Sequence, residues 1–400
     1  FGSSRLAQGF FLHARHSLPL ACSLCRVGTM RVAVRTIGGA EAAVVEAQPT
    51  WTAKDVASGL GDRTRDPALH CRLLFGSTEL PPGVPLADAG VCDGSELTMV
   101  ITAALRVVTA SDDGTTKIWN ADSGDCVGTL DATQPGKPVV AAGFSPDSQQ
   151  VVTALAEGGA AIWEVSSGRR LHTLEVPGDA AVASAVFSPD GTWVLTASDD
   201  GAARIWSVET GECVRKLAGH LSAVRAAAFS PDGARAVTAS GDATAKLWDV
   251  KSCECLRTLR GHGFIVRSAV FSSDGTRVLT ASDDGTAKIW CAETGECTHT
   301  LKGHRYGVYS AVFSPDGAQI LTVSADSTIR LWCANAGKCS QTLDGLPLGG
   351  VRSAVYSSDG ELMLTASYDC SARIWSAESG QCIRLLDGHT DFVNSAAFSQ

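Results

Sequence analysis

The chain has no apolar run near the roughly 18 residues that a membrane-spanning helix needs, and that excludes such an element. Positive charge is in short supply: 33 Lys and Arg stand against 42 Asp and Glu, a net charge of -9. That balance opposes non-specific attachment to nucleic acid or anionic lipid and leaves proteins or peptides as the expected partners. No Asn-x-Ser/Thr acceptor occurs, and 14 cysteines in 400 residues are too dilute for a disulfide-stapled secreted domain, so cytoplasm or nucleus is the expected compartment. Also missing are a phosphate-cradling GxxxxGK[ST] loop, an HExxH helix and a GxSxG elbow. No catalytic residue, metal site or cofactor is therefore expected. What is present, 44% hydrophobic and 19% charged residues, suffices for two or three domains with real cores and excludes wholesale disorder.

Residues 1–29 contain no acid and three Arg, and read as an unstructured leader or upstream sequence, with a targeting leader as the alternative; Met30 is the more natural start. Their Cys22-x-x-Cys25 has no second pair at ligand spacing, so it does not suggest zinc.

Internal repetition organises the remainder. Trp119, Trp163, Trp206, Trp248, Trp290, Trp332 and Trp375 follow at intervals of 44, 43, 42, 42, 42 and 43 residues. A second marker runs in phase: FSPDS at 144, FSPDG at 187, 229 and 313, FSSDG at 271 and YSSDG at 356. Within one period, SAVFSPDG, TRVLTASDDG, TAKIW and ECTHTL read as four short strands bounded by turn residues. Pro-Asp-Gly and Asp-Asp-Gly suit tight hairpins, because Gly accepts positive φ and Asp bonds its own backbone. One such sheet cannot bury both faces, so repeats must stack on one another.

These residues resemble the WD-repeat β-propeller family over 104–400, although only Trp248-Asp249 carries the name-giving dipeptide. The resemblance implies an all-β seven-bladed WD-repeat β-propeller. The region opens with a second strand, RVVTASDDG, and ends with a first strand, DFVNSAAFS, so residues 389–400 should complete blade one and close the ring. It also implies a buried hydrogen-bond chain of His, Ser, Asp and Trp in each well-formed blade. The matching sets are His220, Ser240, Asp242 and Trp248; His262, Ser282, Asp284 and Trp290; His304, Ser324, Asp326 and Trp332; and Ser111, Asp113 and Trp119 with His389 supplied from the far end of the chain. A Ser-His-Asp set that recurs several times, always beside a Trp, is structural, whereas an active site is built once. Blade two has Leu155 and Glu157 in place of Ser and Asp, and blades three and seven keep Ser198, Asp200, Ser367 and Asp369 but lack the His, so local opening is expected there. Cys126, Cys213, Cys255, Cys297, Cys339 and Cys382 each lie seven residues after a repeat Trp, too far apart on neighbouring blades for disulfides, and are expected as small buried thiols.

Residues 30–103 carry no repeat marker. MRVAVRTIGG and AEAAVVEA read as a hairpin, TWTAKDVASGL as a helix opened by Thr50 or Thr52, and CRLLFGSTEL and SELTMVI as further strands. This order resembles a small α+β ubiquitin-like (β-grasp) domain. Its family's interaction patch would fall on Ile37, Leu74 and Val100, which core packing could equally explain. No Gly-Gly tail follows, so conjugation is not expected.

Function must come from surfaces, since the fold hosts many activities. The resemblance puts Arg225, Arg267, Tyr309, Arg352, Phe392 and Asn394, with Asp112, Asp199, Asp283 and Tyr368, on the rim around the central channel. Three Arg facing three Asp there would suit a peptide of mixed charge. The expectation is a non-catalytic scaffold or adaptor, monomeric by itself and able to join a larger protein complex. The alternative is a ubiquitin- or proteasome-pathway adaptor whose first domain docks on a receptor while the ring recruits a client. An enzyme working at the channel mouth would need an unpaired acid or His there, and the sequence offers no candidate.

Overall fold

A computed structural model describes residues 29–36, 41–59, 69–80, 84–131, 137–343 and 350–399. Contacts divide the chain into two units, Phe1–Ala104 and Leu105–Gln400. Ile37 lies outside the described residues. Among the described residues no helix is long and apolar enough to cross a membrane.

The first unit contains β1 (Met30–Thr36), β2 (Glu41–Ala47), α1 (Ala53–Gly59), β3 (Leu69–Phe75), β4 (Thr78–Glu79) and β5 (Glu96–Ala103). They form one sheet in the order β2-β1-β5-β3-β4, with β1 and β5 parallel and the other pairs antiparallel. Side chains alternate across a strand, so Met30, Val32 and Val34 share one face; they are buried with Val45, Leu73, Leu97 and Met99 against Val56 of α1 and Leu86. Thr52, not Thr50, opens the helix: its backbone N–H and hydroxyl both donate to Asp55 Oδ2 at 2.8 Å, while Asp55 N–H returns to Thr52 Oγ1 at 3.4 Å. The helix consequently begins at Ala53 and leaves Trp51 outside it, partly buried against the core.

The second unit is built from seven four-stranded antiparallel sheets among the described residues. Sheets two to six and sheet seven each take four consecutive strands. Sheet one is composite, joining Val393–Phe398 to Arg106–Ser111, Thr115–Asn120 and Cys126–Asp131. The register of that join runs from Val393 opposite Ser111 to Phe398 opposite Val107, and Ser399 N–H donates to Arg106 O at 2.8 Å. The first strands, Val139–Phe144, Val182–Phe187, Val224–Phe229, Val266–Phe271, Val308–Phe313, Val351–Tyr356 and Val393–Phe398, each touch the next, and the last touches the first. Among the described residues, the first and last strands of the unit are thus paired in one sheet.

The turns form for the reason the sequence suggests. In SPDG at 230–233, Ser230 Oγ accepts the N–H of Arg235 at 2.9 Å, Asp232 Oδ1 accepts that of Ala234 at 3.0 Å, and Gly233 adopts φ +68°. Second strands are buried on both faces because sheets cover them from either side; Arg277–Ser282 has every residue after the first buried. The Trp rings fill the space between sheets: Trp119, 2% exposed, packs with Val107 against Leu364, Ile374 and Leu386 of sheet seven. Gly388 leads into sheet one at φ +152°, and a Cβ there would stand 3.2 Å from the Trp119 ring, so the residue before His389 must be Gly.

Outer strands have only one neighbour, and this overturns the expectation of buried thiols. Cys126, Cys213, Cys255, Cys297, Cys339 and Cys382 are free and exposed, since each lies at or next to the start of an outer strand and projects from the edge rather than into a sheet interface. Each thiol donates to the carbonyl two residues further on, at 3.4 Å for Cys126 and Cys255.

Candidate binding face

The polar chain expected in sheets one, four, five and six is present, with one member replaced. In sheet five, Trp290 Nε1–H donates to Thr280 Oγ1 at 2.8 Å, Thr280 Oγ1 lies 2.8 Å from His262 Nε2, and His262 Nδ1 lies 2.7 Å from Asp284 Oδ2. The proton inventory closes with a neutral imidazole: Nδ1–H donates to the carboxylate, and Nε2 accepts the Thr hydroxyl proton. Thr238 and Thr322 do the same with His220, Asp242 and Trp248 and with His304, Asp326 and Trp332. Thr109 does so in sheet one, where His389 reaches Asp113 at 2.7 Å and Thr109 at 2.8 Å.

Ser111, Ser240, Ser282 and Ser324 are therefore not links between Trp and His. Thr and Ser lie two positions apart and share a strand face, but the Ser is one further pleat, about 6.6 Å, from the Trp. The Ser has another task. Ser282 Oγ accepts Asp284 N–H at 3.1 Å and donates to Phe264 O at 3.2 Å; Ser324 does likewise with Asp326 and Tyr306, Ser240 with Asp242 and Ser222, and Ser111 with Asp113 and Asp391. Asp Oδ2 also accepts the N–H of Leu221, Gly263, Arg305 or Thr390. The buried chain thus clamps the loops that lead into the first strands of sheets one, four, five and six.

Electrostatics follow from burial. Desolvation pushes His220, His262, His304 and His389 below the ordinary histidine value, against the raising pull of the paired Asp. Burial also pushes the Asp113 carboxyl up, but hydrogen bonds from Thr115, His389 and Thr390 outweigh it and hold it at about 2. Asp242 and Asp326 are likewise held at about 2, with burial outweighed chiefly by Thr244 and Thr328.

Two sheets without the His are not simply weakened. The Arg two residues before the Trp turns back onto the turn Asp: Arg204 Nη1 donates to Asp200 Oδ1 at 3.2 Å with Nη2 on Oδ2, and Arg373 Nη2 lies 2.7 Å from Asp369 Oδ2. Arg204 is 3% exposed. Sheet two has Ala161 at that position and no such substitute, although Trp163 still donates to Thr153 at 2.9 Å.

Nine of the ten residues expected on the rim are partly or fully exposed; the tenth, Asn394, is buried. Arg225 Nη1 donates to Asp199 Oδ1 at 3.0 Å, and Arg267 forks onto both oxygens of Asp283 at 2.8–3.0 Å. The third expected Arg–Asp pair does not form: Arg352 Nη1 bonds the Tyr368 hydroxyl at 3.2 Å, and Asp112 accepts from Asn394 Nδ2 at 2.6 Å. Asn394, 4% exposed, also donates to Val139 O at 2.8 Å, so it ties sheet one to sheet two instead of facing outward. Tyr309, Tyr368 and Phe392 form an edge-to-face series with centroids 6.4 and 5.0 Å apart. Arg225, Arg267, Tyr309, Arg352 and Tyr368 line a cavity of about 530 Å³.

Beside them lie residues the sequence reading did not single out. Leu221 is 94% exposed, Phe264 and Tyr306 are each 65% exposed, and with Phe392 at 42% they stand on the clamped leading loops of sheets four, five, six and one. Phe264 and Tyr306 both stand two residues after the loop His, whereas Leu221 stands one and Phe392 three residues after it, so the four share no single register. In the first unit, Leu74 is half-buried on the face of β3 opposite the core residue Leu73, with Thr98 as its pairing partner, and the backbone of Val100 pairs with Arg72.

A search of the curated proteins finds no match. The family model for the WD domain, G-beta repeat, matches residues 168–207, 211–249, 253–291, 295–333 and 337–376. The family is generally non-catalytic, and its domains generally bind other proteins. The five consecutive matches, carried by repeated four-stranded sheets, make residues 168–376 WD repeats and support the assignment of this chain to the WD-repeat propeller family.

Proposed function

We propose that residues 104–400 act as a closed seven-bladed propeller whose leading-loop face is a non-catalytic docking surface for proteins or peptides. One observation carries the reading: Leu221, Phe264, Tyr306 and Phe392 are exposed on loops held by a buried hydrogen-bond chain, side by side with Arg225, Arg267 and the Tyr309–Tyr368 pair. Aromatic and Arg side chains on a preorganised support lose little entropy on binding, which is how interface anchors gain affinity. Exposed apolar groups clustered on one face of a charged chain mark an interaction site. The test is affinity capture of partners, identified by mass spectrometry, with the wild type and with Leu221→Ser/Phe264→Ser/Tyr306→Ser. Partners should be lost at least tenfold from the triple variant and retained by Val214→Ser/Ile383→Ser on the outer strands. Equal recovery from both variants refutes the face.

A second reading gives residues 30–103 the role of a ubiquitin-like domain docking on a receptor. It is favoured by the sheet order β2-β1-β5-β3-β4 with its parallel central pair, and by Val44, 54% exposed on the face away from the core. Leu74→Ala in the full chain should then weaken capture of ubiquitin receptors and leave ring partners unaffected.

A further inference from the structure

On the opposite end of the first strands, the sheets are joined by a repeated device. Arg106, at the start of a second strand, passes Nη2–H to Ser148 O of the next sheet at 2.8 Å and lies 5.7 Å from the Phe144 ring. Arg235 does the same to Gly275 O at 2.8 Å and Phe271 at 5.5 Å, and Arg277 to Gly317 O at 2.8 Å and Phe313 at 4.9 Å. Each guanidinium stacks on an aromatic face and caps a turn carbonyl.

Between sheets six and seven the Arg position is Gln319. A cleft of about 590 Å³ opens there, lined by Gln319, the ring of Tyr356 where the other junctions have Phe, and Gly360, the counterpart of Gly275 and Gly317. The Tyr356 hydroxyl is buried with no hydrogen-bond partner among the described residues. Asp316, Asp359, Glu361 and Glu378 line the same cleft, which has no basic residue. The other Gln of this series, Gln150, also borders a cleft, of about 690 Å³, but Arg169 and Arg170 lie in it and give it the opposite sign.

We propose that the cleft between sheets six and seven receives the guanidinium of an arginine carried by a partner peptide. The three filled junctions define the chemistry: an aromatic face, a turn carbonyl and room for a planar fork. At this junction a buried acceptor hydroxyl and four carboxylates are added, and both would favour a cation that donates several hydrogen bonds. A lysine ammonium fits less well, because a point charge cannot stack and reach carbonyl and hydroxyl together. This site is independent of the leading-loop face, since Arg352 and Tyr356 lie at opposite ends of one six-residue strand.

The test is saturation-transfer NMR on the full chain with the blocked tripeptide acetyl-Gly-Arg-Gly-amide, its citrulline and lysine counterparts, and free arginine. The arginine peptide should bind at least tenfold more tightly than the citrulline peptide and more tightly than the lysine peptide. Gln319→Arg should weaken it at least tenfold by placing an internal guanidinium in the cleft, with the thermal midpoint unchanged or raised. Tyr356→Phe and Glu361→Gln/Glu378→Gln should each weaken it several-fold. Equal binding of arginine and citrulline peptides, no detectable arginine signal, or an unchanged affinity in Gln319→Arg would overturn the proposal. Tighter binding of free arginine than of the blocked peptide would overturn the assignment to a peptide.

Discussion

Replacing His389 by Ala tests ring closure at a single side chain. His389 comes from the last 12 residues, is 1% exposed in its side chain, and bridges Thr109 and Asp113 of a strand pair about 280 residues earlier. Its loss leaves the Asp113 carboxylate, 8% exposed, with bonds from Thr115 and Thr390 only, and leaves the Thr109 hydroxyl without its His partner. Removing a neutral donor from a buried carboxylate costs about 1.5–3 kcal/mol. His262→Ala in sheet five breaks the same bonds, yet there all four strands follow one another in the chain. The two variants should therefore lose similar global stability but differ locally. Hydrogen exchange read by mass spectrometry should show faster exchange in His389→Ala confined first to 106–111 and 393–398, the only strands that can part without unravelling a contiguous sheet. An unchanged melting midpoint, or exchange spread evenly over all sheets, would refute the reasoning.

Four buried histidines with depressed folded-state values prefer to stay neutral, so protonating the unfolded chain below about pH 6.5 favours unfolding by up to about 1.4 kcal/mol per pH unit per histidine. Urea midpoints should accordingly fall as pH drops from 7.5 to 5.5, and less steeply in His262→Ala. Stability from Asp113, Asp242 and Asp326 should persist to lower pH and vanish as pH falls from the ordinary aspartate value towards about 2. Arg204→Ala should cost on the order of 1.5 kcal/mol in denaturant titration by removing the fork onto the partly exposed Asp200 carboxylate, whereas Lys288→Ala, at the matching position of a His-containing sheet, should cost under about 1 kcal/mol. Leu221→Ser/Phe264→Ser/Tyr306→Ser should shift the thermal midpoint by no more than about 1 °C, because exposed side chains contribute little to folding.

The sheets and their join were legible because repetition multiplies a weak local signal: one Trp or one Pro-Asp-Gly says little, but seven in phase fix a period, and the period exposes the missing first strand that 393–398 supplies. Side-chain reach was not legible. Thr280 and Ser282 share a face and a polar type, and only their distance from Trp290 decides which one bonds it. Arg204 and Arg373 read as ordinary strand residues, since nothing in the sequence says that a guanidinium folds back over four residues to replace an absent imidazole. The period correctly placed the six cysteines at the start of the outer strands but could not tell which side of an edge strand meets solvent. Asn394 shows the same limit at the rim: its place near the start of a first strand is as the pattern implies, while its amide turns inward to Asp112 and Val139.

The central claim is that partners are gripped on the clamped leading loops of the ring. Site-specific photo-crosslinking from cells tests it most directly, with a benzophenone amino acid placed singly at Phe264, Tyr306 or Phe392 and, as controls, at Val214 or Ile383 on the outer strands. The account predicts partner adducts from the first three positions and none from the controls. Adducts from the outer strands, with the loop positions silent, would contradict it.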